Sequence, residues 1–332
     1  MGQQAPLERV FQGINAAKMG HLLIGIDAGG TSTDVRLVWH AKEVGTTHGG
    51  RITQNKFEGC NLVRDGQAFS RDHMVFCLRQ SLEGIAASHV TCVIGMAGAG
   101  RRDAAEQLQQ SIHAAWRDLP EVPPLDVHVT HDAMIALESA YPSTPGAILI
   151  VGTGSLLFGR DTTGQEVRAG GWGRLLGDEG SGYDLGHRVI TAVCADMDAD
   201  EPSFLRERLA ARLGWHDRDT LIDAVYQHRF PFQDVARFAL EGAVTGDEPS
   251  MHLVRTAAEA LGRVVARAPW DRMEPSLRLV GGLSTEKGYQ PYLWDALARF
   301  IPQVRIDDTP ADPLAGAVHL AWLQAASRSL AA

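Results

Sequence analysis

The stretch Leu22–Trp39, LLIGIDAGGTSTDVRLVW, sets an apolar run, a turn of small residues and a second apolar run end to end. The scheme returns at Ala147–Arg160, AILIVGTGSLLFGR. No other feature constrains the fold as tightly. A strand–glycine turn–strand unit used twice, each time followed by helices alternating with strands, calls for an α/β fold with a mixed sheet in each half. Apolar patterning predicts strands near 22–27, 34–40, 91–95 and 125–130, and helices over 66–88, 102–117 and 132–140. After the turn-rich Tyr141-Pro142-Ser143-Thr144-Pro145-Gly146, it predicts strands at 147–151, 156–160 and 165–169 and a mostly helical stretch over 180–268. A strand at 277–281, a helix over 291–300, a strand at 303–306 and a helix over 313–328 complete the chain. The expected organisation is a flexible leader over 1–20, a first domain of 21–140 plus 313–332, and a second domain of 141–312 with a helical insertion at about 185–268. Ligands are expected in a cleft between the two halves.

Three devices bind phosphate at a glycine turn. A P-loop needs Gly-Lys followed by Ser or Thr, and the chain contains no Gly-Lys dipeptide. A dinucleotide fingerprint needs G-x-G-x-x-G opening a helix; Gly25, Gly29 and Gly30 are misspaced, and the β-branched and aromatic residues of Thr33–Trp39 favour a strand. There remains a strand–turn–strand hairpin whose backbone N–H groups face the anion. Gly29, Gly30, Thr31, Ser32 and Thr33 would form it, the hydroxyls adding donors. Asp27 would hold a hydrated Mg²⁺ on the phosphates. The plain alternative is a tight hairpin with an aspartate before it. The second turn, Gly152-Thr153-Gly154-Ser155, favours the phosphate reading, because two such hairpins would clamp the β- and γ-phosphates from both sides.

Composition narrows the partners. The 332 residues are 45 % hydrophobic and 21 % charged, which supports a large core. With 31 Lys and Arg against 40 Asp and Glu, the net charge of −9 argues against a nucleic-acid or anionic-membrane binder. Cys60, Cys77, Cys92 and Cys194 form no C-x-x-C, so neither zinc nor an iron–sulfur cluster is indicated, and buried thiols of a reducing compartment are expected. No apolar run reaches the length of a membrane span, and Met1–Gly20 lacks the h-region of a secretory signal; Met19 is a second candidate start. A cytoplasmic protein is expected.

Asp27-x-Gly29-Gly30-Thr31, Gly152-Thr153-Gly154-Ser155 and Gly281-Gly282 resemble the phosphate-1, phosphate-2 and adenosine motifs of the sugar kinase/Hsp70/actin superfamily. Within it, GGWGRLLGDEGSG at Gly170–Gly182 is similar to the signature of the N-acetylglucosamine kinases and the related BadF/BadG/BcrA/BcrD ATPases. The resemblance runs from about residue 22 to 325. It implies two ribonuclease-H-like (actin-like ATPase) domains, ATP and Mg²⁺ as cofactors, an amino sugar as substrate and a homodimer. Gly281, Gly282 and Ser284 would face the adenosine, and the last helix would pack back on the N-terminal half.

Moving a phosphoryl group to a sugar hydroxyl needs positioning, charge neutralisation and a proton acceptor. Asp132, in VHVTHDA, ends a strand and begins a helix, where a plain helix cap is the alternative. The resemblance implies that it is the catalytic base, in contact with the sugar. Asp178 sits in a glycine-rich turn, where a carboxylate can accept hydrogen bonds from two sugar hydroxyls, the role the resemblance also implies. Glu179 reads as a contact to sugar or as an acid on a helix dipole. Asn61 reads as a sugar contact or as a turn or cap residue. Gly170 and Gly171 would let the substrate approach the backbone, with Gly154 and Ser155 beside it. His131 reads as local structure and Trp172 as a core or cleft wall. The Gly95–Gly100 loop is expected to serve packing between the domains. A glucosamine kinase and a reductase-activating ATPase are the alternatives; the first would want an extra carboxylate for a free amine, the second a cysteine arrangement absent from this sequence.

Overall fold

The computed structural model describes residues 20–40, 51–227 and 230–331. The leader expected over 1–20 falls, save Gly20, outside them. The chain divides into two compact units, one from the described parts of Met1–Glu138 with Pro313–Ala332, the other Ser139–Asp312.

The first unit is a five-stranded mixed sheet. Strands β1 (Gly20–Ala28), β2 (Ser32–Trp39) and β3 (Arg51–Glu58) form an antiparallel meander, and β4 (Ala87–Met96) and β5 (Leu125–His131) add in parallel, giving the order β3-β2-β1-β4-β5. β3 has no counterpart in the patterning. It reads Arg-Ile-Thr-Gln-Asn-Lys-Phe-Glu and lies outermost in the sheet order, where polar side chains and lysine are tolerated. Helix α1 (Leu62–Leu82) and helix α2 (Arg102–Arg117) cover one face, where Leu22, Ile24, Ile26, Met74, Leu108 and Trp116 form a core. Helix α3 (Asp132–Ala140) and helix α10 (Pro313–Ala331) contribute to the other, with Leu23, Val93, Ile135, Ala317 and Ala321 in contact. Strand alternation explains why neighbouring residues serve opposite cores. Gly25 has no Cβ because α10 lies on it: a methyl there would stand 2.9 Å from the Leu314 carbonyl oxygen.

Two boundaries move from the expected ones. α1 begins at Leu62, but Gly66 (φ 80°, ψ 169°) breaks its regular dihedrals, so the uninterrupted helix starts about where the periodicity does. It ends at Leu82 because Gly84 takes a left-handed φ of 72°. The Gly95–Gly100 loop also differs from expectation. Ile135 packs on Gly95, and a Cβ on Gly98 would lie 2.7 Å from Asn61 Oδ1, so the packing that excludes side chains there is internal to this unit.

The second unit repeats the scheme. Strands β6 (Gly146–Val151), β7 (Ser155–Arg160) and β8 (Glu166–Gly170) form an antiparallel meander, and β9 (Ser276–Val280) and β10 (Arg305–Asp307) add in parallel on the far side of β6. Between β8 and β9 come α4 (Gly182–Asp198), α5 (Phe204–Leu213), α6 (Arg218–Gln227), α7 (Phe232–Thr245) and α8 (Glu248–Val265); a 3₁₀ turn (Gly282–Thr285) and α9 (Gln290–Phe300) follow β9. One continuous core joins Leu149, Leu157, Leu185, Phe238, Leu261 and Leu293. Gly186 of α4 packs on the Phe232 backbone and Gly288 on the Leu240 backbone, so α7 is held at two points where no side chain fits.

Candidate functional site

In the first unit the candidate residues gather at one sheet edge. Ala28, Met96 and His131 are in register across β1, β4 and β5, so the chain leaves all three strands at the same level. Asp27, half-buried, pairs in register with Asp34 of β2 and lies two residues before Gly29, where the glycine turn begins. Gly29 N–H closes that turn on the Ser32 carbonyl (2.9 Å), and Gly29 O accepts from Cys60 N–H (2.9 Å). Gly30 and Thr31 are exposed. Among the described residues no three His, Cys, Asp or Glu gather as a metal site. Mg²⁺ is commonly held by one or two carboxylates with substrate phosphates and water, so Asp27 with a bound polyphosphate is a chemically sufficient donor set.

Two hydroxyls expected to donate to phosphate are otherwise engaged. Ser32 Oγ donates to Asp34 Oδ2 at 2.9 Å. Thr33 is fully buried, its hydroxyl 3.4 Å from His73 Nε2, because alternation along β2 turns it into the α1 core. Thr33 therefore builds the hairpin, and its side chain does not face a ligand. Asn61 is the N-cap of α1: its Oδ1 accepts from Val63 N–H (3.0 Å) and Arg64 N–H (3.1 Å), and its own N–H donates to Asp65 Oδ2 (2.9 Å). The cap reading is thus realised, which leaves the amide nitrogen as the atom for any sugar contact. Asp132 is the first residue of α3, exposed, with Oδ1 accepting from Ala133 N–H at 2.9 Å. An open carboxylate at the C-terminal end of a strand is positioned as ligand groups are in open α/β sheets.

In the second unit the turn Gly152–Ser155 docks on the start of α4, where Gly182 N–H donates to Gly152 O (2.8 Å) and Tyr183 N–H to Thr153 O (3.1 Å). Asp178 lies against it. The residue has a left-handed φ of 63°, is 9 % exposed, and a Cβ on Gly154 would meet its Oδ2 at 2.9 Å. Such a backbone conformation in a residue other than glycine costs of order 1 kcal/mol and concentrates at functional sites. Burial pushes the Asp178 carboxyl above the usual carboxylate range, and hydrogen bonds from the Ser155 and Gly173 N–H groups act against that. Ser155, expected beside the sugar, is 5 % exposed and donates its hydroxyl to Glu179 O (2.8 Å). Its hydroxyl orients the acidic turn. Gly170 and Gly171 take φ values of 73° and 65°, and Arg168 Nη2 holds Gly171 O at 2.8 Å, so the chain reverses there as only glycine does easily. Trp172, Leu175 and Leu176 are exposed, so Trp172 is not core.

A cavity of about 880 Å³ opens beside this turn. Gly152, Thr153 and Gly282 line one side, and Gln233, Arg237 and Leu240 of α7 the other. Its volume suits a nucleotide-sized ligand. Gly281 (φ 100°) has no room for a Cβ, which would stand 2.5 Å from Val151 O; this close approach sets the adenosine motif beside the second turn. Ser284, expected at the adenosine, is 1 % exposed and donates to Gly281 O at 2.6 Å. The i, i+3 spacing of a 3₁₀ turn brings that hydroxyl back onto its own first carbonyl. The α7 wall has no counterpart in the apolar patterning, which predicts one mostly helical stretch over 180–268. Its signal is the spacing of Gln233, Arg237, Leu240 and Val244, with Val244 an exposed apolar residue.

The chain matches a known family over most of its length. The model of the BadF/BadG/BcrA/BcrD ATPase family covers residues 24–321. The chain belongs to that family. Among its relatives, an N-acetylmuramic acid/N-acetylglucosamine kinase of Clostridium acetobutylicum is 28 % identical over 315 residues, spanning 90 % of this chain and 97 % of the relative. An N-acetyl-D-glucosamine kinase of Dictyostelium discoideum is 27 % identical over 318 residues with the same coverage. A Chromobacterium violaceum protein provisionally assigned as an N-acetylglucosamine kinase matches in structure with a TM-score of 0.72 at 24 % identity, over 92 % of this chain and all of that one. A ROK family glucokinase of Streptomyces griseus matches at 0.55 and 18 % identity, over 91 % of this chain and 98 % of that one. The fold of this family member is accordingly that of the two-domain, actin-like sugar kinases.

Tyr289 stabilises the acidic turn from below. It is fully buried, and its hydroxyl donates to Gly180 O at 2.6 Å, while Gly180 N–H donates to Asp184 Oδ2 at 2.8 Å. Tyr289→Phe leaves a buried carbonyl without its donor, an expected loss of about 1–3 kcal/mol. Thermal unfolding should register that loss as a lowered melting temperature. An unchanged melting temperature would show the hydroxyl to be dispensable.

Proposed function

We propose that the chain phosphorylates the 6-hydroxyl of N-acetyl-D-glucosamine with ATP as its Mg²⁺ complex. The carrying observation is the Asp178 turn: a nearly buried carboxylate held in a left-handed conformation against Gly154, contiguous with the turn that borders the nucleotide-sized cavity. A carboxylate so placed accepts hydrogen bonds from sugar hydroxyls, and the names of both curated relatives support an N-acetylated amino sugar. Asp132 takes the proton from the attacking hydroxyl. Thr153 and Gly154 offer backbone N–H groups to the phosphates, and the exposed Gly30–Thr31 turn does the same. Asp27 would hold Mg²⁺, which when bound neutralises charge on the phosphates. A homodimer in the cytoplasm is part of the same reading.

The test is ADP release measured over N-acetylglucosamine, N-acetylmuramic acid, glucosamine, N-acetylmannosamine and glucose, with and without Mg²⁺. N-Acetylglucosamine should give the highest kcat/KM, with no turnover in EDTA. Preference for glucosamine would move the assignment to a free amine. Sugar-independent ATP hydrolysis with iron in anaerobically purified protein would replace it with the reductase-activating class.

A further inference from the structure

We propose that Arg64 is a positioning residue that fixes the Gly30–Thr31 peptide in the orientation phosphate binding requires. The inference rests on reading Gly29–Thr33 as a phosphate turn. The guanidinium of Arg64 spans three neighbours at once. Nη1 donates to Gly30 O at 2.8 Å and Nη2 to Gly59 O at 3.3 Å. Nε and Nη2 donate to the two carboxylate oxygens of Asp65 at 2.7 and 2.8 Å. Asp65 is itself fixed by Asn61 N–H. Only a planar fork of several N–H groups can make this set of contacts; a single ammonium cannot.

A trans peptide points its C=O and the following N–H in opposite directions. Holding Gly30 O therefore directs Thr31 N–H to the other side of the turn, away from Arg64. From below, the turn rests on Gly59, where a Cβ would stand 2.5 Å from Thr31 N and 2.6 Å from Gly30 C. A Gly-Gly pair left to itself samples many conformations, and ordering it on ligand binding would weaken affinity. Arg64 removes that freedom before the nucleotide arrives. Its guanidinium contacts protein carbonyls and a carboxylate, so its part is to shape the turn and not to neutralise the phosphates.

The experiment uses full-length protein with ATP and N-acetylglucosamine. Arg64→Met should raise the ATP KM about tenfold, with kcat, the sugar KM and the melting temperature little changed, since the side chain is half exposed. Arg64→Lys keeps the charge without the fork and should behave like Arg64→Met. Asp65→Asn, which removes one partner of the fork, should give an intermediate ATP KM. An unchanged ATP KM in Arg64→Met, or its restoration by lysine, overturns the proposal, the latter because charge alone would then suffice. A wild-type protein without kinase activity on any amino sugar overturns the phosphate-turn reading and this inference together. An active wild type with an indifferent Arg64→Met removes only the inference.

Discussion

Replacing Asp132 with asparagine should lower kcat by at least about 10²-fold while the sugar KM stays within a few-fold of wild type, the signature of a lost general base. Asparagine keeps the size of the side chain and can still accept from Ala133 N–H through Oδ1, so α3 should start as before. What disappears is the ability to take the hydroxyl proton as the phosphoryl group arrives. Because the side chain is exposed at the first turn of a helix, no core packing depends on its charge, and melting temperature should be unaffected. Single-turnover measurements separate this loss from slow product release. A kcat equal to wild type would remove Asp132 from the base role and leave it a helix-start residue.

Asp178→Ala should raise the sugar KM about 10²-fold, the scale expected for losing two hydrogen bonds to a charged acceptor. The ATP KM should change little; a rise confined to ATP would reassign the residue to the nucleotide. Alanine also sits poorly at a φ of 63°, whereas asparagine tolerates it, so Asp178→Asn isolates the charge. Burial raises the folded pKa above its unfolded value, so the folded state favours the protonated acid. The stability this contributes is fully present below the unfolded pKa and is lost as pH rises through the folded one. Asp178→Asn should accordingly be no less stable than wild type at neutral pH, although it binds sugar less well. Conversely, the wild-type sugar KM should climb as pH falls through the raised pKa, a climb missing from the asparagine variant. A flat wild-type profile would mean that the carboxylate form is not the sugar-binding form.

The duplicated glycine turn made the architecture legible, because apolar runs flanking Gly29–Gly30 and Gly152–Gly154 leave few alternatives. β3 is hidden in the pattern because four consecutive polar residues, Thr53–Lys56, suit an edge and mask a strand. Backbone constraints are legible as residue type: Gly281 and the Gly170–Gly171 reversal take positive φ values and stand as glycine. Side-chain directions are not legible in this way. Ser155, Thr33 and Ser284 look like ligand-facing hydroxyls in one dimension, yet strand alternation and 3₁₀ geometry turn each onto protein. Arg64 was invisible for a related reason, since its partners Gly30 and Gly59 become neighbours only when β3 and α1 bring them together.

The seating of α7 on Gly186 and Gly288 bears on how the cavity chooses its occupant. A wall seated on backbone at two points resists displacement, because any movement towards Gly186 or Gly288 meets main-chain atoms. With the nucleotide in this cavity, as the proposed function has it, discrimination among nucleobases would follow from dimensions set at folding. Base-enlarged nucleotide analogues should then compete poorly with ATP in the kinase assay.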